Sequence, residues 1–142
     1  MTTATMTNAG NGVTLDVARR VIDSARRAAE SIGVAMNIAV VDQGNNLVAF
    51  DRMDGAWLGS IDIAMGKAYT ARAFNMSTKD LAPLCQPGES LFGIHASNNG
   101  RLIVFPGGLP LIRDGEVVGA IGVSGGAVEQ DQAVALAGAE AF

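Results

Sequence analysis

The sequence predicts an α/β domain of the α+β kind, a single three-layer domain with helices on both faces of a mostly antiparallel, five-stranded sheet. Its 142 residues match the commonest size of one domain, and they show no internal repeat. The strand-like segments are joined by hairpin patterns or by long connections, which favours antiparallel pairing. Two of these segments, residues 36–41 and 117–123, are apolar on both faces, which is typical of strands covered on both sides.

Residues 1–12 are predicted to form a disordered tail, because they are rich in Thr, Asn, Gly and Ala without periodicity; the domain then spans residues 13–142. A helix opens the domain, with Thr14 as its N-cap and Gly33 as its C′ residue. Its apolar face is formed by Leu15, Ala18, Val21, Ile22, Ala25, Ala29 and Ile32. Arginines occupy the opposite face, where a solvated surface is favoured over a basic binding patch.

The next two strands are predicted at residues 36–41 and 47–50. The polar segment 43–46 between them is typical of a β-hairpin turn. The chain then leaves the sheet, and the alanine-rich segment 57–74 predicts a helix. Because many of its side chains are small, another element can approach this helix closely.

A short helix is predicted after Ser77, which with Asp80 resembles a capping arrangement, and it ends near Cys85. Further along, residues 91–96 and 102–105 flank the dipeptide Asn99-Gly100. Because Asn-Gly favours hairpin turns, these two segments are predicted to be a strand pair. A helical turn is the alternative for residues 91–96.

The last part of the chain predicts two strands, a glycine turn and a helix. Asp114-Gly115 between apolar runs is typical of a type I′ hairpin turn, which requires positive φ at both central residues. Gly119 and Gly122 lie within the second apolar run, so another element is expected to pack against its backbone. Ser124–Gly126 then bends the chain into a predicted helix over residues 127–141.

This last segment also carries a resemblance. The run DGEVVGAIGVSGG at residues 114–126, followed by Glu129-Gln130-Asp131, resembles the GlcG/HbpS-like family. That family includes haem-binding proteins and the C-terminal domain of PduO-type corrinoid adenosyltransferases. Further matching segments lie at residues 40–44, 52–56 and 86–88. The resemblance implies a profilin-like, GlcG-like fold, a homo-oligomer, and haem or a related tetrapyrrole as ligand.

Composition and charge exclude several function classes. A formal net charge of −4 argues against nucleic acid and against anionic membrane, both of which require clustered basic residues. No apolar run approaches the roughly 20 residues of a membrane span, and no signal peptide is recognised, so we expect a cytoplasmic protein. Charged residues make up only 17% of the chain. Such a low content favours surface buried between subunits, in a homo-oligomer from a dimer up to a hexamer or octamer.

The turn Ser124, Gly125 and Gly126 is a candidate ligand site, because main-chain N–H groups at a helix start favour an anion. Gly107 and Gly108, in the loop before the hairpin, are assigned to the same site. The alternative is that these glycines only let the helix fold back on the sheet. Glu129 and Asp131 are candidate ligand contacts or an acid–base pair, with helix stabilisation or a subunit contact as the alternative.

The segment Gly122–Gly126 also matches the G-x-S-x-G pattern of a hydrolase nucleophile elbow. A hydrolase is disfavoured, because in α/β-hydrolases the histidine follows the serine, whereas the single histidine of this chain, His95, precedes it. The predicted sheet is also small and not parallel.

Three other side chains are candidate ligand contacts. His95 is the one imidazole and therefore the leading candidate for a haem-iron ligand, with Met53, Tyr69, Cys85 or a second subunit as substitutes. A hydrogen-bonded structural role is the alternative. Lys67 is a candidate partner of a ligand carboxylate, with a surface lysine as the default interpretation. Trp57 offers a ring on which a planar ligand could stack, or a subunit contact.

Three functional hypotheses follow. The first is a protein that binds a small molecule or cofactor, with haem as the leading candidate by family resemblance. The second is a small enzyme that acts on a carboxylated metabolite at a site between subunits. The third is an accessory or assembly protein of a catabolic pathway. Residue patterns alone do not decide between them.

Overall fold

The computed structural model describes residues 12–142, so the predicted tail lies outside the described residues except for Gly12. Four helices are present in this part of the chain: α1 (Leu15–Ile32), α2 (Gly59–Phe74), α3 (Thr78–Leu81) and α4 (Val128–Glu140). The strands are β1 (Asn37–Asp42), β2 (Leu47–Arg52), β3 (Gly108–Arg113) and β4 (Glu116–Ser124). They form one sheet in the order β2-β1-β4-β3, and all neighbouring strands are antiparallel. None of the helices described has the length and apolar character that crossing a bilayer requires.

The capping residues predicted for the helices are confirmed. Thr14 Oγ1 accepts a hydrogen bond of 3.1 Å from the N–H of Val17 at the start of α1. Gly33 ends this helix with φ of 72°, a left-handed conformation that glycine adopts without steric cost. Ser77 Oγ likewise accepts from the N–H of Asp80 at 3.0 Å at the start of α3. Because these bonds satisfy main-chain donors that lack a partner in the helix, they fix where each helix begins.

Helices cover both faces of the sheet, as predicted. On one face, α1 and α4 pack against the larger side chains of the central strands, among them Ile38, Val40, Ile121 and Val123. On the other face, the buried apolar side chains of α2 are alanines, which pack against Ala39, Val41 and Ala120. A Cβ atom added to Gly122 would overlap the backbone of α2 at Ala64 and Ala68. The glycine therefore lets this helix lie directly on strand β4.

The hairpin between β3 and β4 is also confirmed. Asp114 and Gly115 have φ of 54° and 79°, so both central residues of the turn are left-handed, as a type I′ turn requires.

The prediction of five strands is wrong, because residues 91–96 and 102–105 are not strands. Residues Ile94–Ala96 and Asn98–Gly100 form two short 3₁₀ helices instead. Asn98 and Asn99 both have positive φ, which turns the chain locally rather than into a hairpin. The N–H of Ile103, which a strand would give to its neighbour, is donated to Thr70 Oγ1 on α2 at 2.9 Å. The sheet therefore has four strands within the described residues.

Candidate functional site

Buried polar side chains gather at the end of the sheet where β1 begins and β4 ends. Asn37, the first residue of β1, pairs with Ser124, the last residue of β4, and both side chains are buried. Helix α4 starts just beyond Ser124. Three further buried polar residues belong to the same region, through the contacts described below: Lys67, Thr78 and Asp131. Burial of polar groups requires hydrogen-bond partners, so this end of the domain is the first place to look for a site.

Lys67 and Asp131 form a buried ion pair at its centre. Lys67 Nζ lies 2.8 Å from Asp131 Oδ2 and donates a second hydrogen bond of 2.9 Å to the carbonyl of Val123. The two side chains are 0% and 3% exposed, so the interpretation of Lys67 as a surface lysine is wrong. The ring of Phe105 lies 5.0 Å from the ammonium, within the range of a cation–π contact.

The electrostatics of Lys67 reflect two opposing effects. Burial lowers the pKa of its ammonium below the ordinary value of 10.5, because a charged group loses its hydration. The hydrogen bond and the negative charge of Asp131 act in the opposite direction and raise this pKa. The charged form of Lys67 therefore depends on Asp131, its carboxylate partner in the described part of the chain.

The glycine turn before α4 is tied to the same carboxylate. The N–H of Gly126 donates to Asp131 Oδ1 at 3.0 Å, and the N–H of Ala127 donates to Gln130 Oε1 at 2.9 Å. Two of the main-chain donors that were expected to meet an external anion thus already have acceptors on α4 itself. A Cβ atom on Gly125 would lie 2.5 Å from the carbonyl oxygen of Ala35, so that glycine is required by the neighbouring main chain.

Gly107 and Gly108 pack directly on Lys67. Gly107 has φ of +130°, and a Cβ atom there would lie 2.7 Å from Lys67 Nζ. A Cβ atom on Gly108 would lie 2.5 Å from the carbonyl oxygen of Lys67. The N–H of Gly108 donates to Thr78 Oγ1 at 2.9 Å, which fastens this loop to the start of α3. The loop therefore closes over the lysine and holds it out of solvent.

Seven of the ten predicted site residues meet in this buried centre: Lys67, Gly107, Gly108, Ser124, Gly125, Gly126 and Asp131. Sequence reasoning missed Asn37 and Thr78. A polar residue at one end of an otherwise apolar strand was the available indication for Asn37. Thr78 follows an obvious capping serine, so nothing in the local pattern distinguished it.

The other three predicted residues, His95, Trp57 and Glu129, lie outside the centre and are exposed. The imidazole of His95 meets the ring of Phe92 edge to face, with 6.1 Å between the ring centroids. Within residues 12–142, neither nitrogen of His95 takes part in a hydrogen bond. Trp57 is 66% exposed, although its main-chain carbonyl accepts a bond of 3.0 Å from the amide of Asn37.

The substitutes for His95 as a haem ligand are already engaged or buried. Met53 Sδ accepts a hydrogen bond from the N–H of Met36 at 3.3 Å. The hydroxyl of Tyr69 donates to Asn98 Oδ1 at 2.9 Å. Cys85 is buried, and this burial raises the pKa of its thiol. No group of three or more His, Cys, Asp or Glu side chains able to hold a metal ion occurs in the described part of the chain.

Taken together, the fold and the site define a three-layer α+β domain with a buried lysine–aspartate centre and an exposed histidine. A family model described as "Haem degrading protein HbpS-like" matches residues 13–140. The chain therefore belongs to the HbpS-like family, and the resemblance to GlcG/HbpS-like proteins is confirmed.

Related sequences are found in enteric bacteria. An uncharacterised 15.0 kDa protein from the dhaT-dhaS intergenic region of Citrobacter freundii is 41% identical over 130 residues, 92% of each chain. The corrinoid adenosyltransferase PduO of Salmonella typhimurium is 37% identical over 107 residues. This alignment covers 75% of the present chain but only 32% of the adenosyltransferase.

Solved structures share the fold. Protein ORFY of Klebsiella pneumoniae superposes with a TM-score of 0.90 at 40% identity, covering 92% of this chain and 90% of that one. The PduOC:heme complex gives a TM-score of 0.88 at 32% identity, with 92% and 94% covered. HbpS gives 0.82 at 31% identity, with 92% and 89% covered.

Proposed function

We propose that this protein binds haem. The observation that carries the proposal is the similarity to the PduOC:heme complex, a TM-score of 0.88 over 92% of this chain at 32% identity. A shared fold alone does not define function. The proposal therefore also requires residues in this chain that suit the cofactor.

His95 is the described residue that suits haem iron best. Protein ligands of haem iron are imidazole, thiolate, thioether or phenolate groups. His95 is exposed, and its ring nitrogens make no hydrogen bond within residues 12–142. The neighbouring Phe92 is 58% exposed and offers an apolar surface beside the imidazole. His95 would hold the iron, and the bound haem would supply redox and oxygen chemistry that amino-acid side chains lack.

The buried centre supports a structural role more than a catalytic one. The hypothesis of an enzyme acting on a carboxylated metabolite assigns that role to Lys67, Ser124, Glu129 or Asp131. The side chains of Lys67 and Asp131 are 0% and 3% exposed, and each already hydrogen-bonds the other. A substrate would have to displace the loop at Gly107 before it reached the ammonium.

Haem binding is tested by titrating haemin into the protein and recording the Soret band. We expect a sharp, saturable shift in the parent protein and its loss in His95→Ala. Glu89→Ala, an exposed change in the same part of the chain, is the matched control and should bind like the parent. In His95→Gly, added imidazole should restore the parent spectrum, because free imidazole supplies the missing nitrogen.

Two outcomes would contradict these statements in different ways. A parent protein whose spectrum does not respond to haemin would refute haem binding itself. A shift that survives in His95→Ala would leave haem binding intact, and it would move the ligand to Met53, Tyr69, Cys85 or a second subunit.

A further inference from the structure

A cleft of about 300 Å³ lies along helix α2, and none of the residues of the buried lysine–aspartate centre lines it. Its floor is one stripe of the helix, which carries Asp62, Met65 and Tyr69. One wall comes from the β1–β2 hairpin at Asn45, and the other from the loop at Arg101. This volume is at the lower end of the range for small-molecule sites, so the cleft suits a ligand smaller than a typical cofactor.

The loop that forms this wall, residues 101–103, packs directly against helix α2. A Cβ atom on Gly66 would lie 2.5 Å from Ile103 Cγ1 and 2.9 Å from the carbonyl oxygen of Arg101, so glycine lets the loop lie against the helix. The N–H of Ile103 donates to Thr70 Oγ1 at 2.9 Å and holds the loop in that place. The cleft is therefore preformed, and a ligand would not have to order it.

Arg101 presents an oriented cation at one end. Its guanidinium lies 4.1 Å from the centre of the Tyr69 ring. Nη2 donates to the Tyr69 hydroxyl at 2.9 Å, and Nε donates to the carbonyl of Asn98 at 3.0 Å. These two bonds use two of the five N–H donors of a guanidinium, and no carboxylate pairs with it in the described chain. The remaining donors suit an anion, above all a carboxylate.

Asp62 presents an anion at the other end. It is exposed and forms no ion pair or hydrogen bond within residues 12–142. It precedes Tyr69 by seven residues, or two helical turns, which is about 10 Å along the helix axis. The two opposite charges thus flank the same stripe, and no ion pair joins them in the described part of the chain.

The middle of the stripe is apolar, and the wall at Asn45 adds an acceptor without a partner among the described residues. Met65 is 36% exposed and lies between the two charged ends, and Ile103 faces it from the loop. Asn45 donates its Nδ2 to the carbonyl of Tyr69 at 3.0 Å, whereas its Oδ1 is buried without a partner among the described residues.

We propose that this cleft binds a small extended molecule with a cation at one end, an anion at the other and an apolar spacer between them, the class of ω-amino carboxylates. The carboxylate meets Arg101, the ammonium meets Asp62, and the spacer lies on Met65. His95 does not line this cleft, so the proposal does not depend on haem binding through His95.

The proposal is tested by calorimetric titration with 6-aminohexanoate as the probe. Three compounds of the same chain length are the comparison: hexanoate, hexylamine and norleucine, which carries both charges at one end. We expect 6-aminohexanoate to bind about tenfold more tightly than each of them, because only this probe meets both charges. Arg101→Gln and Asp62→Asn should each remove that advantage.

Matched charge changes elsewhere provide the controls. Arg27→Gln and Glu89→Gln alter exposed residues outside the cleft and should leave the affinity for 6-aminohexanoate unchanged. Far-ultraviolet circular dichroism confirms that all four variants fold. The proposal is overturned if no probe binds at millimolar concentration, or if hexanoate binds as tightly as 6-aminohexanoate. It is equally overturned if Arg101→Gln binds like the parent.

Discussion

Replacing Asp131 with alanine tests whether the buried ion pair holds the domain together. The change removes the acceptor that lies 2.8 Å from Lys67 Nζ, and it leaves the ammonium with the carbonyl of Val123 and the ring of Phe105. It also removes the acceptor of the Gly126 N–H. Breaking one partner of a buried pair typically costs about 3–5 kcal/mol, and an orphaned main-chain donor adds about 1–3 kcal/mol.

Deprotonation of Lys67 limits this cost. A lysine that loses its carboxylate partner can release its proton, so the penalty does not exceed the free energy of that release. The Gly126 N–H is only half-buried, so water can replace its lost acceptor. We therefore expect Asp131→Ala to lower the free energy of unfolding by about 3–5 kcal/mol at neutral pH. A domain in the middle of the ordinary range of about 5–15 kcal/mol remains folded after such a loss.

The pH dependence gives a second readout. Burial holds the pKa of Lys67 in the folded state below 10.5, and removal of Asp131 takes away both effects that raise it. Between the folded pKa and 10.5 the unfolded chain binds the proton more strongly, so stability rises with pH across that window. The window extends to lower pH in Asp131→Ala than in the parent. The deficit of the variant should therefore shrink as the pH rises towards 10.5.

Urea denaturation followed by far-ultraviolet circular dichroism measures both effects. Asp23→Ala is the matched control, because its carboxylate is 51% exposed and lies 3.8 Å from Arg26, and we expect a loss of at most about 1 kcal/mol. The double change Lys67→Met with Asp131→Leu should be less harmful than Asp131→Ala, since it removes both charges. A loss no larger than that of Asp23→Ala, with no pH dependence, would refute the reasoning.

Two further predictions concern packing and assembly. In urea denaturation, Gly122→Ala should lower the free energy of unfolding by about 3 kcal/mol or more, because its methyl group would overlap the backbone of α2. Gly59→Ala is the control, because a Cβ atom there meets nothing within 4 Å. This control should be neutral or slightly stabilising. The chain should also form a homo-oligomer, since large apolar side chains such as Trp57 and Leu58 are 66% and 71% exposed, and light scattering that returned a monomer at micromolar concentration would contradict this.

Local chemistry explains which parts of the fold were predictable. Thr14, Gly33 and the Asp114-Gly115 turn each act through their own backbone and nearest neighbours, so their roles follow from residue type. The conformation of residues 102–105 depends instead on a hydrogen bond to a residue distant in the sequence. Thr70, more than thirty residues earlier in the chain, takes the N–H of Ile103, and no local pattern reveals that contact.

The burial of Lys67 was hidden for a related reason. Helix α2 is so rich in alanine and glycine that its apolar residues do not mark a single buried stripe. The loop at Gly107 that covers the ammonium lies forty residues later in the chain. From residue type alone, Lys67 is predicted to be exposed, because most lysines lie on the surface. Its burial depends on packing against residues distant in the sequence.

At the Ser124–Gly126 turn, the main-chain donors predict that acceptors are present but not which groups they are. Counting donors at a helix start correctly predicts that acceptors must be present. It does not distinguish an external anion from a side chain of the same helix, and here Asp131 and Gln130 supply the acceptors. An anion arriving at Gly126 would have to displace Asp131, the carboxylate on which Lys67 depends. A ligand bound at this turn would therefore destabilise the domain, because it would take Asp131 away from Lys67. An external ligand is accommodated more readily elsewhere on the surface.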